Sequence, residues 1–270
     1  MNFKQIKSLI SIIVFFCFLL SSCEDYEGNK IIYLGDPNYV SVASKDNGDV
    51  MVILYQKSDR VYLNVGYNDL YLYFRDTKKE SIIKNINYSV KFYLENDTLA
   101  KDAAVFPNSS GNSLNLFKIP TYFTKPSSAT NYWVMEVSYT FKNKNYTEKI
   151  QLEVGDNPLY FSFENNSSTF FINQIEPKNQ KIGILDFDFV ILKKENNSFS
   201  YFNDITCDIK VTNFNRETIN NVAPTNQDNG YYKGTIYVPE TGAWQVESNF
   251  YLNEKIIYKY IYPIFIKTEI

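Results

Sequence analysis

The sequence predicts an all-β chain built as two tandem β-sandwich domains behind a short apolar leader. Three observations carry that expectation. Short apolar runs with strand-like alternation are separated by clusters of Asn, Asp, Ser and Gly, residues that suit turns. No window of helical length holds a sustained i, i+3, i+4, i+7 apolar stripe. A set of strand-and-turn elements also occurs twice along the chain.

The leader comes first. Met1 to Lys7 carries Lys4 and Lys7 and no acid, and Leu9 to Leu20 is apolar apart from Ser11. Such a run fits the core of a secretory signal and falls short of the ~20 residues a spanning helix needs. It ends in Leu20-Ser21-Ser22-Cys23, which resembles a bacterial lipobox: an aliphatic residue, two small residues, then the acylated Cys. The resemblance implies a signal peptide over residues 1–22, lipidation of Cys23, and the membrane as a partner through the N-terminal lipid. The acidic cluster Glu24-Asp25-Tyr26-Glu27 resembles the surface-export signal of Bacteroidota lipoproteins. It implies a cell-envelope location, at the outer membrane and on its surface.

Composition narrows the chemistry. The 270 residues include 27 Lys+Arg, 30 Asp+Glu, three Cys and no His. Without His there is no Ser-His-Asp or Cys-His relay and no imidazole metal ligand. A formal charge of −3 gives no electrostatic reason to expect nucleic acid. Aromatics make up 17%, which argues for a folded chain. With Cys17 in the leader and Cys23 acylated, Cys207 stands alone and no intrachain disulfide is expected. Its setting, Ile205-Thr206-Cys207-Asp208-Ile209, reads as a strand with a buried, inert thiol. No cofactor, metal or catalytic residue is indicated, and the chain is expected not to be an enzyme.

Residues 23–47 read as a lipidated tether with an introductory strand at Ile31-Ile32-Tyr33-Leu34. Domain 1 is placed at 48–155 and domain 2 at 156–270, with one large sandwich as the rival reading. In domain 1, Val50 to Tyr55, Val61 to Val65, Leu70 to Phe74 and Ser89 to Leu94 read as strands. Trp133 to Tyr139 alternates, as does Lys149 to Val154. Gly66-Tyr67-Asn68-Asp69 parallels Gly183-Ile184-Leu185-Asp186, and Asn87 to Phe92 parallels Asp204 to Ile209 at the same offset. Asn131-Tyr132-Trp133 to Val137 parallels Gly242-Ala243-Trp244 to Ser248. Each half closes with a hairpin, around Lys142-Asn143-Lys144-Asn145 and around Asn253-Glu254. The two Trp residues of the chain fall at equivalent places.

The second repeat carries a more specific pattern. Gly230-Tyr231-Tyr232-Lys233-Gly234, then Thr241-Gly242-Ala243-Trp244, resembles the YtkA-like/FixH-like domains. The likeness covers mainly residues 183–265. It implies tandem immunoglobulin-like β-sandwiches of the bacterial envelope. Gly230, Gly234 and Gly242 are expected to shape backbone, and Trp133 and Trp244 to anchor the two cores. Some members of that family handle copper through Met and His. The corresponding stretch, Lys210 to Thr225, has no Met, His or Cys, so that role is carried to no residue.

Two sets of alternating tyrosines, Tyr67/Tyr71/Tyr73 and Tyr258/Tyr260/Tyr262, are the candidate ligand platforms, since exposed rings stack on sugars. The sequence therefore leads to a non-enzymatic envelope lipoprotein that presents two immunoglobulin-like domains to a protein partner. A surface glycan-binding lipoprotein and a degenerate copper-accessory protein are the alternatives.

Overall fold

The computed structural model describes residues 34, 36–57, 62–96, 103–106, 111–175, 177, 180–196, 198–213 and 218–268, and every regular element among them is a strand. The leader, the lipobox, Cys23 and the run Ile31 to Tyr33 lie outside the described residues. The chain opens with β1 (Tyr39–Asp46), β2 (Val50–Lys57), β3 (Leu63–Asn64) and β4 (Gly66–Asn68). There follow β5 (Leu70–Asp76), β6 (Ser81–Ile82), β7 (Asn87–Leu94), β8 (Ala103–Val105) and β9 (Phe117–Lys118). Next are β10 (Thr121–Phe123), β11 (Trp133–Phe141), β12 (Lys144–Leu152) and β13 (Val154–Gly155). The second half holds β14 (Tyr160–Asn165), β15 (Ser168–Gln174), β16 (Gly183–Glu195), β17 (Ser198–Tyr201) and β18 (Thr206–Asn213). It ends with β19 (Thr218–Val222), β20 (Thr225–Asn226), β21 (Tyr231–Val238), β22 (Gly242–Leu252) and β23 (Lys255–Ile266).

These strands make two β-sandwiches. In the first, the sheet β1-β2-β5, with β6 and β9 on β5, faces the sheet β12-β11-β7. In the second, β14-β15-β16-β21-β20 faces β19-β18-β22-β23. β16 pairs with β21, and β18 with β22, although other strands intervene in each case. These crossovers between facing antiparallel sheets are the immunoglobulin-like arrangement. Inward residues of the two sheets fuse into one core per sandwich. One core draws on Val42 to Val154, the other on Phe161 to Ile266.

The repeated elements fold alike. Trp133 and Trp244 both lie at the start of the strand that pairs with two neighbours, and both are buried. Each indole N–H donates to a backbone carbonyl, of Lys125 at 3.0 Å and of Glu240 at 3.3 Å. Lys142 and Asn143 (φ 49° and 63°) turn the first closing hairpin, and Asn253 and Glu254 (φ 49° and 64°) the second. Two residues with positive φ suit the twist of a two-residue hairpin loop.

Among the glycines, Gly230 (φ +66°) has the least room, because a Cβ there would lie 2.3 Å from the Ile191 carbonyl oxygen. Gly234 packs beneath Val222 and Pro224, and Gly242 (φ +131°) opens β22. Between the two first-named glycines, Tyr232 is buried. Its hydroxyl accepts from the Ile205 N–H and donates to the Phe202 carbonyl, each at 3.3 Å.

Two expectations are corrected. The first sandwich begins before residue 48: β1 is an edge strand whose Val42 and Ala43 enter the core. Its polar spacing, Ser41, Ser44 and Lys45, disguises it as tether. The correspondence of β7 and β18 also shifts by two residues. Lys91 lies opposite Glu136, and Lys210 opposite Glu247. A two-residue shift keeps every side chain on its face.

The sandwiches meet at a built junction. Tyr122, buried to 1% exposure, sits with Phe171, Val190 and Leu192 against half-buried Tyr67, Tyr160 and Tyr201. Phe106 stacks on Tyr201 at 4.1 Å. The Asn173 side-chain oxygen accepts the Tyr67 N–H at 2.7 Å, while its amide nitrogen donates to the carbonyls of Leu159 and Gln174. Asn157 donates to the Val65 carbonyl at 3.0 Å, and the Tyr160 hydroxyl to the Thr124 carbonyl at 3.1 Å.

Candidate functional site

The six tyrosines do not form open platforms. Tyr67 is half-buried in the junction, where burial, and then the nearby Asp69 carboxylate, push its hydroxyl pKa upward. Tyr71 is buried and packs edge-on against Tyr39 at 5.1 Å, and Tyr73 meets Tyr55 at 6.0 Å. A satellite cluster with Leu114 and Leu116 includes this face. Tyr258, Tyr260 and Tyr262 do share one face of β23, as alternation requires, but that face is the inner one. Tyr258 stacks on Phe161 and Phe163, Tyr260 lies 4.9 Å from Phe161, and Tyr262 is buried. Alternation tells which rings lie together; it does not tell whether their face looks at core or solvent.

Exposure lies on the opposite faces. Of eight exposed large apolar side chains among the described residues, six belong to the second sandwich: Ile182, Ile184, Tyr237, Ile256, Ile261 and Phe265. Ile261 is 48% and Phe265 57% exposed, on the solvent face of β23. The face is built in rungs across β18, β22 and β23. One rung runs Lys210–Glu247–Ile261, the next Thr212–Gln245–Pro263, and the last pairs Ala243 with Phe265. Thr212 and Ala243 are short side chains. The face consequently holds a groove of about 680 Å³, lined by these residues with Asn213, Trp244 and Tyr262.

The groove is amphipathic. Lys259 holds Glu247 Oε1 at 2.8 Å, and the Asn249 amide donates to the same oxygen at 3.2 Å. The Lys259 hydrogen bond keeps the Glu247 carboxyl below its usual range, against the opposing effect of burial. The groove lining thus sets the Glu247 carboxylate and the Lys210 side chain beside Ala243, Pro263 and Phe265. Apolar walls with a few placed polar groups are the usual lining of a binding cleft.

Among the described residues no group of three His, Cys, Asp or Glu side chains is placed to hold a metal. Met135 is fully buried in the first core, and Cys207 is 3% exposed in the second, with burial raising its thiol pKa. Of the groove residues, the sequence marks only Trp244, as a core anchor, and Tyr262, as a candidate platform ring. The signal was there in the repeat, where Ile261 and Pro263 replace polar residues of the first half, but it can be read only once strand registers are known.

No family model matches the chain, and no curated protein matches it. Among solved structures, a chimeric titin tandem is 13% identical, covering 77% of this chain and 94% of its own, with a TM-score of 0.21. A titin immunoglobulin tandem is 8% identical over 85% of this chain and 98% of its own, also at 0.21. An endo-fucoidan hydrolase of glycoside hydrolase family 107 is 9% identical over 85% of this chain and 37% of its own, at 0.23. At such scores the immunoglobulin-like assignment rests on the strand order itself.

Proposed function

We propose that this chain is a non-enzymatic, lipid-anchored module of the bacterial cell envelope that offers the outer β18-β22-β23 face of its second sandwich to a polypeptide partner. The observation that carries the reading is the asymmetry of exposure. Apolar side chains that are single and scattered need no explanation, but a contiguous face of Ile261, Pro263 and Phe265 around a groove does. The aromatic and Asn173 contacts of the junction support presentation of that face in a set direction. The lipobox and acidic cluster of the sequence support the anchor and the surface location.

The test is site-specific photo-crosslinking in native cells. A photoreactive side chain at position 265 is expected to give one discrete adduct, identified by mass spectrometry and rebuilt from purified components. The same group at position 149, on the matching face of the first sandwich, is expected to give none. Equal adduct patterns from both positions, or none from 265, overturn the reading. Replacing Cys23 by Ala is expected to move the protein from the membrane to the soluble fraction; retention at the membrane removes the anchor.

A further inference from the structure

The first sandwich shows what fills the groove of the second. Its equivalent rungs are Lys91–Glu136–Lys149 and Tyr93–Val134–Gln151, placed as Lys210–Glu247–Ile261 and Thr212–Gln245–Pro263 are in the second. Tyr93 stands where Thr212 stands. Its hydroxyl donates to Glu136 Oε2 at 3.3 Å while Lys91 holds Oε1 at 2.7 Å. Val134, although on the outer face, is only 5% exposed between Tyr93 and Gln151 across the ladder. In the second sandwich Lys259 likewise holds Oε1 of Glu247. No ring stands at position 212, Gln245 is exposed, and Glu247 Oε2 has no hydrogen-bond partner among the described residues.

From this we infer that the groove of the second sandwich takes a tyrosine side chain of the partner polypeptide, its hydroxyl donating to Glu247 and its ring lying along Pro263 and Ala243 beside Phe265. Glu247, held by Lys259 and Asn249, is set as acceptor before the ligand arrives, as Glu136 is held by Lys91. A hydrogen bond to a carboxylate is among the stronger neutral-to-charged contacts, so the groove discriminates tyrosine from phenylalanine. The inference rests on the docking reading above and names the group that the docked partner inserts.

Titration of the isotope-labelled full chain with N-acetyl-tyrosinamide, followed by amide NMR, tests it. Shifts are expected to concentrate at Thr212, Gln245, Glu247 and Phe265, with N-acetyl-phenylalaninamide binding about fivefold or more weakly. Thr212→Tyr, which copies the first sandwich, is expected to abolish those shifts, and Glu247→Gln to erase the preference for tyrosine. Tyr93→Thr is expected to add a second set of shifts around Val134 and Glu136. Diffuse shifts, equal binding of the two amides, or undiminished binding to Thr212→Tyr with an intact spectrum overturns the inference. If Thr212→Tyr fails to fold, Glu247→Gln decides: unchanged preference overturns it. A cross-link from position 265 that persists when these tests fail leaves the docking face and removes only the tyrosine.

Discussion

The outer face of β7-β11-β12 and that of β18-β22-β23 are built on one template and end in opposite states. Both have a buried Trp at the same rung, a Glu three residues later, and a Lys across from it. On the first face a second lysine completes the ladder, with Lys91 at 2.7 Å and Lys149 at 3.7 Å from Glu136, and Tyr93 covers the neighbouring rung. On the second, Ile261 stands in place of Lys149 and Pro263 in place of Gln151. Charged and polar residues on an edge strand deter association; an apolar stripe on the equivalent edge permits it. Two or three positions thus convert a closed surface into an open one without touching the core.

The largest effects should fall on what the two halves share. Trp133→Ala and Trp244→Ala each remove a buried indole and are expected to cost about 3–5 kcal/mol. Denaturant unfolding checks this, and a marked inequality between the two would break the equivalence of the halves. Next comes the pair Gly66 and Gly183, at φ +95° and +115°. A Cβ at Gly66 would lie 2.5 Å from the Asn173 side-chain oxygen, whereas one at Gly183 meets nothing within 4 Å. Gly66→Ala is expected to cost more than the ~1–3 kcal/mol of backbone strain that both substitutions carry, and to loosen the junction. Small-angle scattering of the two variants separates them: only Gly66→Ala should broaden the interdomain distance distribution.

Ile261→Lys copies the first face onto the second. Its stability change is expected to stay within about 0.5 kcal/mol, as for most surface substitutions, while the adduct from position 265 is lost. A folded variant with full adduct yield would show that the apolar stripe is not what the partner reads. The smallest effect is on acid stability. Glu136 is held below its ordinary value of 4.5, chiefly by the hydrogen bond from Lys91. A depressed folded-state value contributes stability above 4.5 and loses it as pH falls through that lower value. The unfolding midpoint should therefore decline below about pH 4.5, and less steeply in Glu136→Gln.

Much of this architecture could be read from residue order. The alternation from Trp133 to Tyr139 and the turn residues Lys142-Asn143 and Asn253-Glu254 mark strands and hairpins through local preference alone. The orientation of Tyr258, Tyr260 and Tyr262 could not be read, because period-two alternation is the same for a face that looks inward and one that looks out. The groove was hidden for a related reason. It exists because a ring is absent at Thr212, and that absence has meaning only when β18 is in register against β22.

Cys207 gives the molecule a built-in reporter. It is the one cysteine among the described residues and belongs to the second core alone. A thiol reagent reaches it only when that sandwich opens, so its labelling rate, located by peptide mass, times the opening of one half while the other stays silent. Comparing that clock with and without a partner would show whether the partner holds the second half shut, with no dye or tag placed on either face.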